Sequence, residues 1–185
     1  MRSKPILLTI AFSALILSLS MINIDLHGII PFKTSYNSLS KEAQKQVTCL
    51  AENIYFEAGR EPTEGKIAVA FVTINRVQTG NYAGNICDVV YQKTGKTCQF
   101  SWYCEKKITD NRLTIRDTSL YNEILELATH LLVNFERMND VTNGATYYHA
   151  DYVNPRWKLD KETQIGRHIF YKSKKDTIDR NKGII

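Results

Sequence analysis

The chain lacks the short motifs that mark several common hydrolase chemistries. It has no H-E-x-x-H motif, no C-x-x-C pair and no G-x-S-x-G nucleophile elbow. His130, His149 and His168 are the histidines that a zinc amidase could use, but His130 has no partner histidine four residues along its predicted helix. We therefore expect no metal, no cofactor and no serine or cysteine nucleophile.

Internal repeats, low-complexity tracts and a basic recognition helix are also absent. The 185 residues carry a formal net charge of +5, part of it in the N-terminal segment and more in KSKKDTIDRNK near the C-terminus. Without a nucleic-acid-binding motif, this charge favours adsorption to an anionic cell envelope rather than binding to nucleic acid. We interpret residues 175–185 as a basic tail.

The first 25 residues predict export. Arg2 and Lys4 precede an uncharged, largely apolar run over residues 6–24, which is the order of a signal sequence. The run is also long enough to span a bilayer, whereas Ser18-Leu19-Ser20 resembles a cleavage site. A cleaved signal peptide and a retained membrane anchor over residues 1–25 both stay open. Either one places the remainder in the periplasm or cell wall, after a short tether over residues 26–39.

All four cysteines lie in the exported part of the chain. In an oxidising compartment an even number of cysteines indicates disulfides, although four allow three pairings. Cys98 and Cys104 are close enough in sequence to close a small loop, and Cys49 would then bond to Cys87. A zinc site is the competing interpretation, but the ligand spacing is wrong for it.

Hydrophobic periodicity predicts a predominantly helical α+β domain over residues 40–174. A first helix begins after Ser40 and ends near Ala58, and a second, apolar nearly all round, covers residues 64–77 with Thr63 as its cap. A third helix covers residues 118–138. The segments ATYYHA and HIFYK have strand character, and the stretch between them reads as a loop.

Glu57 lies at the end of the first predicted helix. The apolar residues of that helix recur at helical spacing, and Glu57 falls about 80° from the centre of their stripe. A carboxyl group at this rim is partly withdrawn from water, which raises its pKa as a general acid requires. The alternative is an ordinary solvated glutamate at a helix end.

Two clusters mix aromatic rings with amide and hydroxyl groups, the side chains that bind sugars by stacking and hydrogen bonding. The first lies between two cysteines, and the second begins in the first predicted strand and continues into the loop after it. Their candidate binding residues are Gln99, Phe100, Ser101 and Trp102, and then Tyr148, His149, Asn154 and Trp157. The alternative is that the rings are ordinary core residues.

Five blocks of the chain occur in the order found in one family. They are LAENIYFEAGREPTEGKIAVAFVTINRV, CDVVYQ, CQFSWYC, ATYYHADYVNPRW and IGRHIFY. With these blocks the chain resembles the bacterial cell-wall hydrolases of the SleB/CwlJ type over about residues 49–171. The resemblance implies a lysozyme-like fold, peptidoglycan as the substrate, Glu57 as the catalytic acid and a glycan groove lined by the two clusters.

One turn departs from that family, which usually reads E-A-R-G-E where this chain reads E-A-G-R-E. Glycine commonly supplies the left-handed residue after a helix. We therefore expect the exchange of Gly59 and Arg60 to move that residue by one position and to shift the arginine relative to Glu57.

With a single well-placed carboxylate, the resemblance favours a lytic transglycosylase that cuts between N-acetylmuramic acid and N-acetylglucosamine. A hydrolytic muramidase or glucosaminidase would require a second carboxylate. An amidase of the stem peptide and a wall-binding protein without activity remain open as well. Because no peptidoglycan-binding repeat is present, the N-terminal segment would localise the enzyme.

Overall fold

The computed structural model describes residues 34–108 and 115–184. The predicted signal or anchor segment lies outside these residues. Among the helices described, none is both long and apolar enough to span a bilayer.

Five α-helices and five strands make up the described domain. The helices are α1 (Lys41–Ala58), α2 (Thr63–Thr79), α3 (Ile86–Val90), α4 (Ser101–Ile108) and α5 (Thr118–Asn134), with short 3-10 helices at Tyr36–Ser38 and Phe135–Arg137. The strands are β1 (Lys93–Thr94), β2 (Thr97–Cys98), β3 (Tyr147–Ala150), β4 (Asp160–Ile165) and β5 (His168–Lys172). The prediction of a mainly helical α+β domain is therefore confirmed.

The first predicted helix is correct at both ends. The Ser40 hydroxyl accepts a hydrogen bond from the Ala43 amide at 3.1 Å, so it caps α1 as the sequence predicts. The apolar stripe of α1 is buried in the main core. Its partners there are α2, which is buried nearly all round, together with α3 and α5.

Two predicted helix ends are wrong in detail. Thr63 does not cap α2, because Pro62 occupies the N-cap position and Thr63 is already the first helical residue. The third helix is α-helical only to Asn134, after which the chain tightens into the 3-10 turn Phe135–Arg137.

The turn after α1 is right-handed, so the expected shift of a left-handed residue is also wrong. Gly59 has φ −56° and ψ −30°, and Asn143 is the non-glycine residue with positive φ among those described. The Gly59 amide still donates to the Tyr55 carbonyl at 3.2 Å, and the Glu61 amide donates to Ala58 at 2.9 Å. A Cβ atom on Gly59 would lie 2.5 Å from the Tyr55 oxygen, so glycine provides space here rather than left-handed geometry.

Three antiparallel strands form the larger sheet in the order β3-β5-β4. Tyr148 pairs with Phe170, and the inner face packs on α2 through Phe170, Ala68 and Val72. The prediction of a loop between the two apolar strands missed β4. That strand has the polar sequence DKETQI and lies at the sheet edge, where hydrophobic alternation is weak.

Both predicted disulfides are present. Cys49 in α1 bonds to Cys87 in α3, and Cys98 at the end of β2 bonds to Cys104 in α4. The first bridge joins two helices of the core. The second closes a loop beside the end of α1.

Candidate active site

Glu57 lies in the last turn of α1, where the helix meets the three-stranded sheet. Its side chain is half-buried. The Tyr148 hydroxyl on β3 donates a hydrogen bond to Glu57 Oε2 at 2.9 Å. This contact joins residues 91 positions apart in sequence, and it places a phenol donor directly on the candidate acid.

Opposing influences act on the Glu57 carboxyl group. Burial is the largest and raises its pKa, whereas the hydrogen bond from Tyr148 and the positive charge of Arg76 lower it. The negative charge of Glu105 raises it further. The net shift is upward, so Glu57 keeps its proton to a higher pH than an ordinary glutamic acid does.

Arg76 is a buried cation whose charge acts on this acid. Its Nε donates to the Thr146 carbonyl at 2.7 Å. Its terminal nitrogens face the Gln99 amide, whose oxygen accepts from them at 3.1 and 3.3 Å when that amide is oriented to suit its neighbours. The guanidinium also lies 5.5 Å from the Tyr82 ring centre and 5.0 Å from that of Phe100.

Sequence reasoning missed Arg76 as a site residue. The available signal was a charged side chain within the otherwise apolar run IAVAFVTINRV. A charged residue in a buried helix is rare unless it is paired or hydrogen-bonded.

The first predicted cluster divides between the site and the core. Gln99 reaches Arg76, and Ser101 is exposed at the start of α4. Phe100 and Trp102 are only 3% and 4% exposed. Trp102 stacks on Phe56 at 4.7 Å between ring centres. Phe100 and Trp102 are therefore core residues that pack beside the site, and their contact with a glycan stays a prediction.

The second predicted cluster divides across the sheet. Successive strand residues point to opposite faces, so Tyr148 faces Glu57 whereas His149 faces away. His149 Nε2 lies 3.0 Å from the Tyr171 hydroxyl, and its ring centre lies 5.5 Å from that of Trp157. Trp157 is 44% exposed and Asn154 is exposed in the same loop. Substrate contact by His149, Asn154 and Trp157 stays a prediction.

Two carboxylates, Glu61 and Asp151, are engaged with the β4–β5 turn. Glu61 Oε2 accepts from the Arg167 amide at 3.1 Å, which ties the chain after α1 to the β4–β5 turn. Asp151 lies 3.5 Å from the Arg167 guanidinium. Within residues 34–108 and 115–184, no three histidine, cysteine, aspartate or glutamate side chains come together as a metal site.

The fold and site define a mainly helical domain with one half-buried carboxylic acid between a tyrosine donor and a buried arginine. A sequence profile of the cell wall hydrolase family matches residues 60–171, beginning just after Glu57. The chain belongs to this cell wall hydrolase family.

Relatives with known names agree with this assignment. Spore cortex-lytic enzymes of Halalkalibacterium halodurans and Bacillus cereus are each 25% identical to the chain, over 69% and 70% of its length. The chain spans only 35% and 45% of those two proteins.

Two solved structures share the fold. The catalytic domain of Bacillus cereus SleB has a TM-score of 0.52 and 24% identity, covering 78% of this chain and 99% of that domain. The catalytic domain of the germination-specific lytic transglycosylase SleB of Bacillus anthracis gives the same TM-score and identity, covering 77% and 100%.

Proposed function

We propose that this protein degrades peptidoglycan as a lytic transglycosylase, cutting between N-acetylmuramic acid and N-acetylglucosamine with Glu57 as its acid. The observation that carries the proposal is the half-buried Glu57 carboxyl group with its Tyr148 hydrogen bond. Membership of the cell wall hydrolase family supports the substrate, and the name of the Bacillus anthracis relative supports the reaction type.

The first step transfers a proton. Protonated Glu57 gives its proton to the oxygen between the two sugars, and the bond from that oxygen to C1 of N-acetylmuramic acid breaks. The leaving N-acetylglucosamine keeps the proton as a hydroxyl group. The raised pKa of Glu57 supplies the protonated form that this step needs.

The second step closes a ring. The C6 hydroxyl of the muramoyl residue attacks C1, and its proton passes to the Glu57 carboxylate. The product is a 1,6-anhydro sugar, water is not consumed, and Glu57 is protonated again. Tyr148 and Arg76 favour the carboxylate between the two steps, since both lower the pKa of Glu57.

Gln99 has a supporting role in this proposal. With its amide oxygen on Arg76, Gln99 would use its amide nitrogen to donate to a sugar oxygen. Tyr148 and Gln99 would then steady the oxocarbenium-like transition state from two elements of the fold.

The contacts of Glu61 and Asp151 favour a mechanism in which neither residue acts as a second catalytic carboxylate. Retaining and inverting glycosidases place two carboxyl groups on either side of the bond. Glu61 is tied to the backbone of the β4–β5 turn, and Asp151 lies beside Arg167.

Mass spectrometry of peptidoglycan digested by the full chain tests the reaction type. We expect 1,6-anhydromuramoyl ends. Reducing sugar ends would select a hydrolytic muramidase or glucosaminidase, and new N-terminal L-alanine would select an amidase. Sacculi that bind the protein without losing fragments would indicate a wall-binding protein.

Replacement of the acid tests the residue. We expect Glu57→Gln to lower the rate of glycan release by roughly 10²- to 10⁴-fold, the usual contribution of a general acid, with the fold retained by circular dichroism. Glu64→Gln, at an exposed position in α2, is the matched control and should keep the parent rate. A folded Glu57→Gln variant with most of the parent rate would exclude Glu57 as the acid.

A further inference from the structure

The C-terminal segment, residues 173–184, lies beyond the family match and packs along the end of α2. The Asp179 amide donates to the Gln78 carbonyl at 3.3 Å. The Lys182 ammonium donates to the Val77 carbonyl at 2.8 Å. Ile184 is only 4% exposed and belongs to the main core. The segment is therefore a packed part of the domain.

Asp176 is the buried acid of this segment. It is 8% exposed, and an aspartate is seldom so buried without partners. Its Oδ1 accepts from the Asn81 amide at 3.0 Å, and its Oδ2 accepts from the Thr146 hydroxyl. Asp176 thus links Asn81, which lies just after α2, to Thr146, which lies just before β3.

Thr146 uses all three of its polar groups. Its amide donates to the Tyr171 carbonyl at 3.1 Å, and its hydroxyl donates to Asp176. Its carbonyl accepts from Arg76 Nε at 2.7 Å. The residue that orients the Arg76 guanidinium is therefore held on its other side by Asp176.

We propose that Asp176 is a positioning residue for the candidate active site, because it holds the Thr146 backbone that orients Arg76 toward Gln99. The proposal rests on the proposed function only in giving Glu57 the role of acid. The charge of Asp176 also reaches a neighbour of Arg76. It is the smallest of the influences that act on the pKa of Tyr82, which it raises, and the Tyr82 ring lies 5.5 Å from the Arg76 guanidinium.

A change at Asp176 should reach Glu57 through Arg76. The groups that act on the Glu57 pKa are Tyr148 of β3, Arg76 of α2 and Glu105 of α4. Arg76 lowers that pKa, so a displaced guanidinium raises it further. Asp176→Asn keeps the shape of the side chain but leaves one acceptor oxygen for two donors.

The direct test follows the Glu57 carboxyl carbon by NMR through a pH titration of the full chain without substrate. We expect the midpoint of the Glu57 titration to move to higher pH in Asp176→Asn. Thr146→Val removes the hydroxyl that bonds to Asp176 and keeps the carbonyl that accepts from Arg76. It should therefore give the same upward shift of the Glu57 midpoint. Asp179→Asn, in the same segment, should match the parent chain.

Activity provides the second measurement. In both Asp176→Asn and Thr146→Val, the alkaline limb of kcat/KM should move to higher pH. The rate at the optimum should fall, by up to about 100-fold for a misplacement of about 1 Å. Asp179→Asn should keep the parent profile.

A purely structural role predicts a different result, namely a lower melting temperature with an unchanged Glu57 midpoint and pH profile. That result in folded Asp176→Asn and Thr146→Val would overturn the proposal. If Asp176→Asn does not fold, Thr146→Val decides alone. Because the titration needs no substrate, failure to digest peptidoglycan would refute the proposed function without affecting this test.

Discussion

Opposing influences set the protonation state of Glu57. Burial favours its protonated form, whereas Tyr148 and Arg76 favour its carboxylate. A group that must give a proton and then take one back needs both forms within reach at one pH. The surroundings of this one side chain therefore suit a reaction with two proton transfers.

Removal of the Tyr148 hydroxyl gives the clearest pH prediction at the residue scale. Its hydrogen bond lowers the pKa of Glu57, so Tyr148→Phe should raise that pKa further. In the proposed first step Glu57 acts in its protonated form, so activity should be lost as pH rises through the Glu57 pKa. The alkaline limb of kcat/KM should therefore move to higher pH.

The matched control is Tyr152→Phe, which alters a tyrosine that is 77% exposed in the loop after β3. Its pH profile should equal that of the parent chain. An unchanged or lower alkaline limb in Tyr148→Phe would show that the hydrogen bond does not control Glu57.

Helical spacing places Glu57 at the rim of the α1 stripe, and the structure agrees with that position. Its partners could not be predicted in the same way. Tyr148 lies 91 residues further along the chain, and its contact depends on how β3 packs against the end of α1. Arg76 is a different case, because its charge within an apolar helix is visible in the sequence whereas its contact with Gln99 depends on the fold.

The elements show a similar division between what local patterns predict and what packing decides. α1 and its serine cap follow from local spacing and side-chain chemistry. β4 does not, since its residues alternate weakly and its pairing with β5 defines it as a strand. The turn after α1 likewise follows from the close approach of Gly59 to the Tyr55 carbonyl rather than from residue type.

A buried amide links three of the helices near the site. Asn53 of α1 accepts from Trp102 Nε1 of α4 at 3.0 Å and donates to the Thr73 hydroxyl of α2 at 3.1 Å. Asn53 is fully buried. The amide therefore fixes α4 and α2 against the helix that carries Glu57.

Replacement of this amide should cost stability in a way that depends on Trp102. We expect Asn53→Leu to lower the free energy of unfolding by roughly 1–3 kcal/mol, because it strands the buried indole N–H. In Trp102→Phe, which has no such group, the same change should cost clearly less. Urea unfolding of the two single variants and the double variant measures the difference, and strictly additive losses would contradict the link.

At the scale of the whole molecule, the two disulfides have different positions and different loop lengths. Cys49–Cys87 spans 38 residues and joins two core helices, whereas Cys98–Cys104 spans 6 residues around Gln99. The predicted export indicates that the cysteines form disulfides, and the short spacing of Cys98 and Cys104 favours this pairing among the three possible ones, which the structure then fixes. That Gln99, next to Cys98 in the second bridge, is a partner of Arg76 emerges only from the fold.

These positions predict that stability and activity depend on different bridges. In the chain-entropy treatment, a bridge stabilises by constraining the unfolded chain, more for a longer loop. Cys49→Ala/Cys87→Ala should then lose about 4 kcal/mol and Cys98→Ala/Cys104→Ala about 2 kcal/mol. Denaturant unfolding of the full chain measures both losses.

At a temperature where both variants are folded, peptidoglycan digestion should fall more in Cys98→Ala/Cys104→Ala, because its loop positions Gln99 against Arg76. Equal activities in the two folded variants, or a larger loss of stability in Cys98→Ala/Cys104→Ala, would contradict this separation.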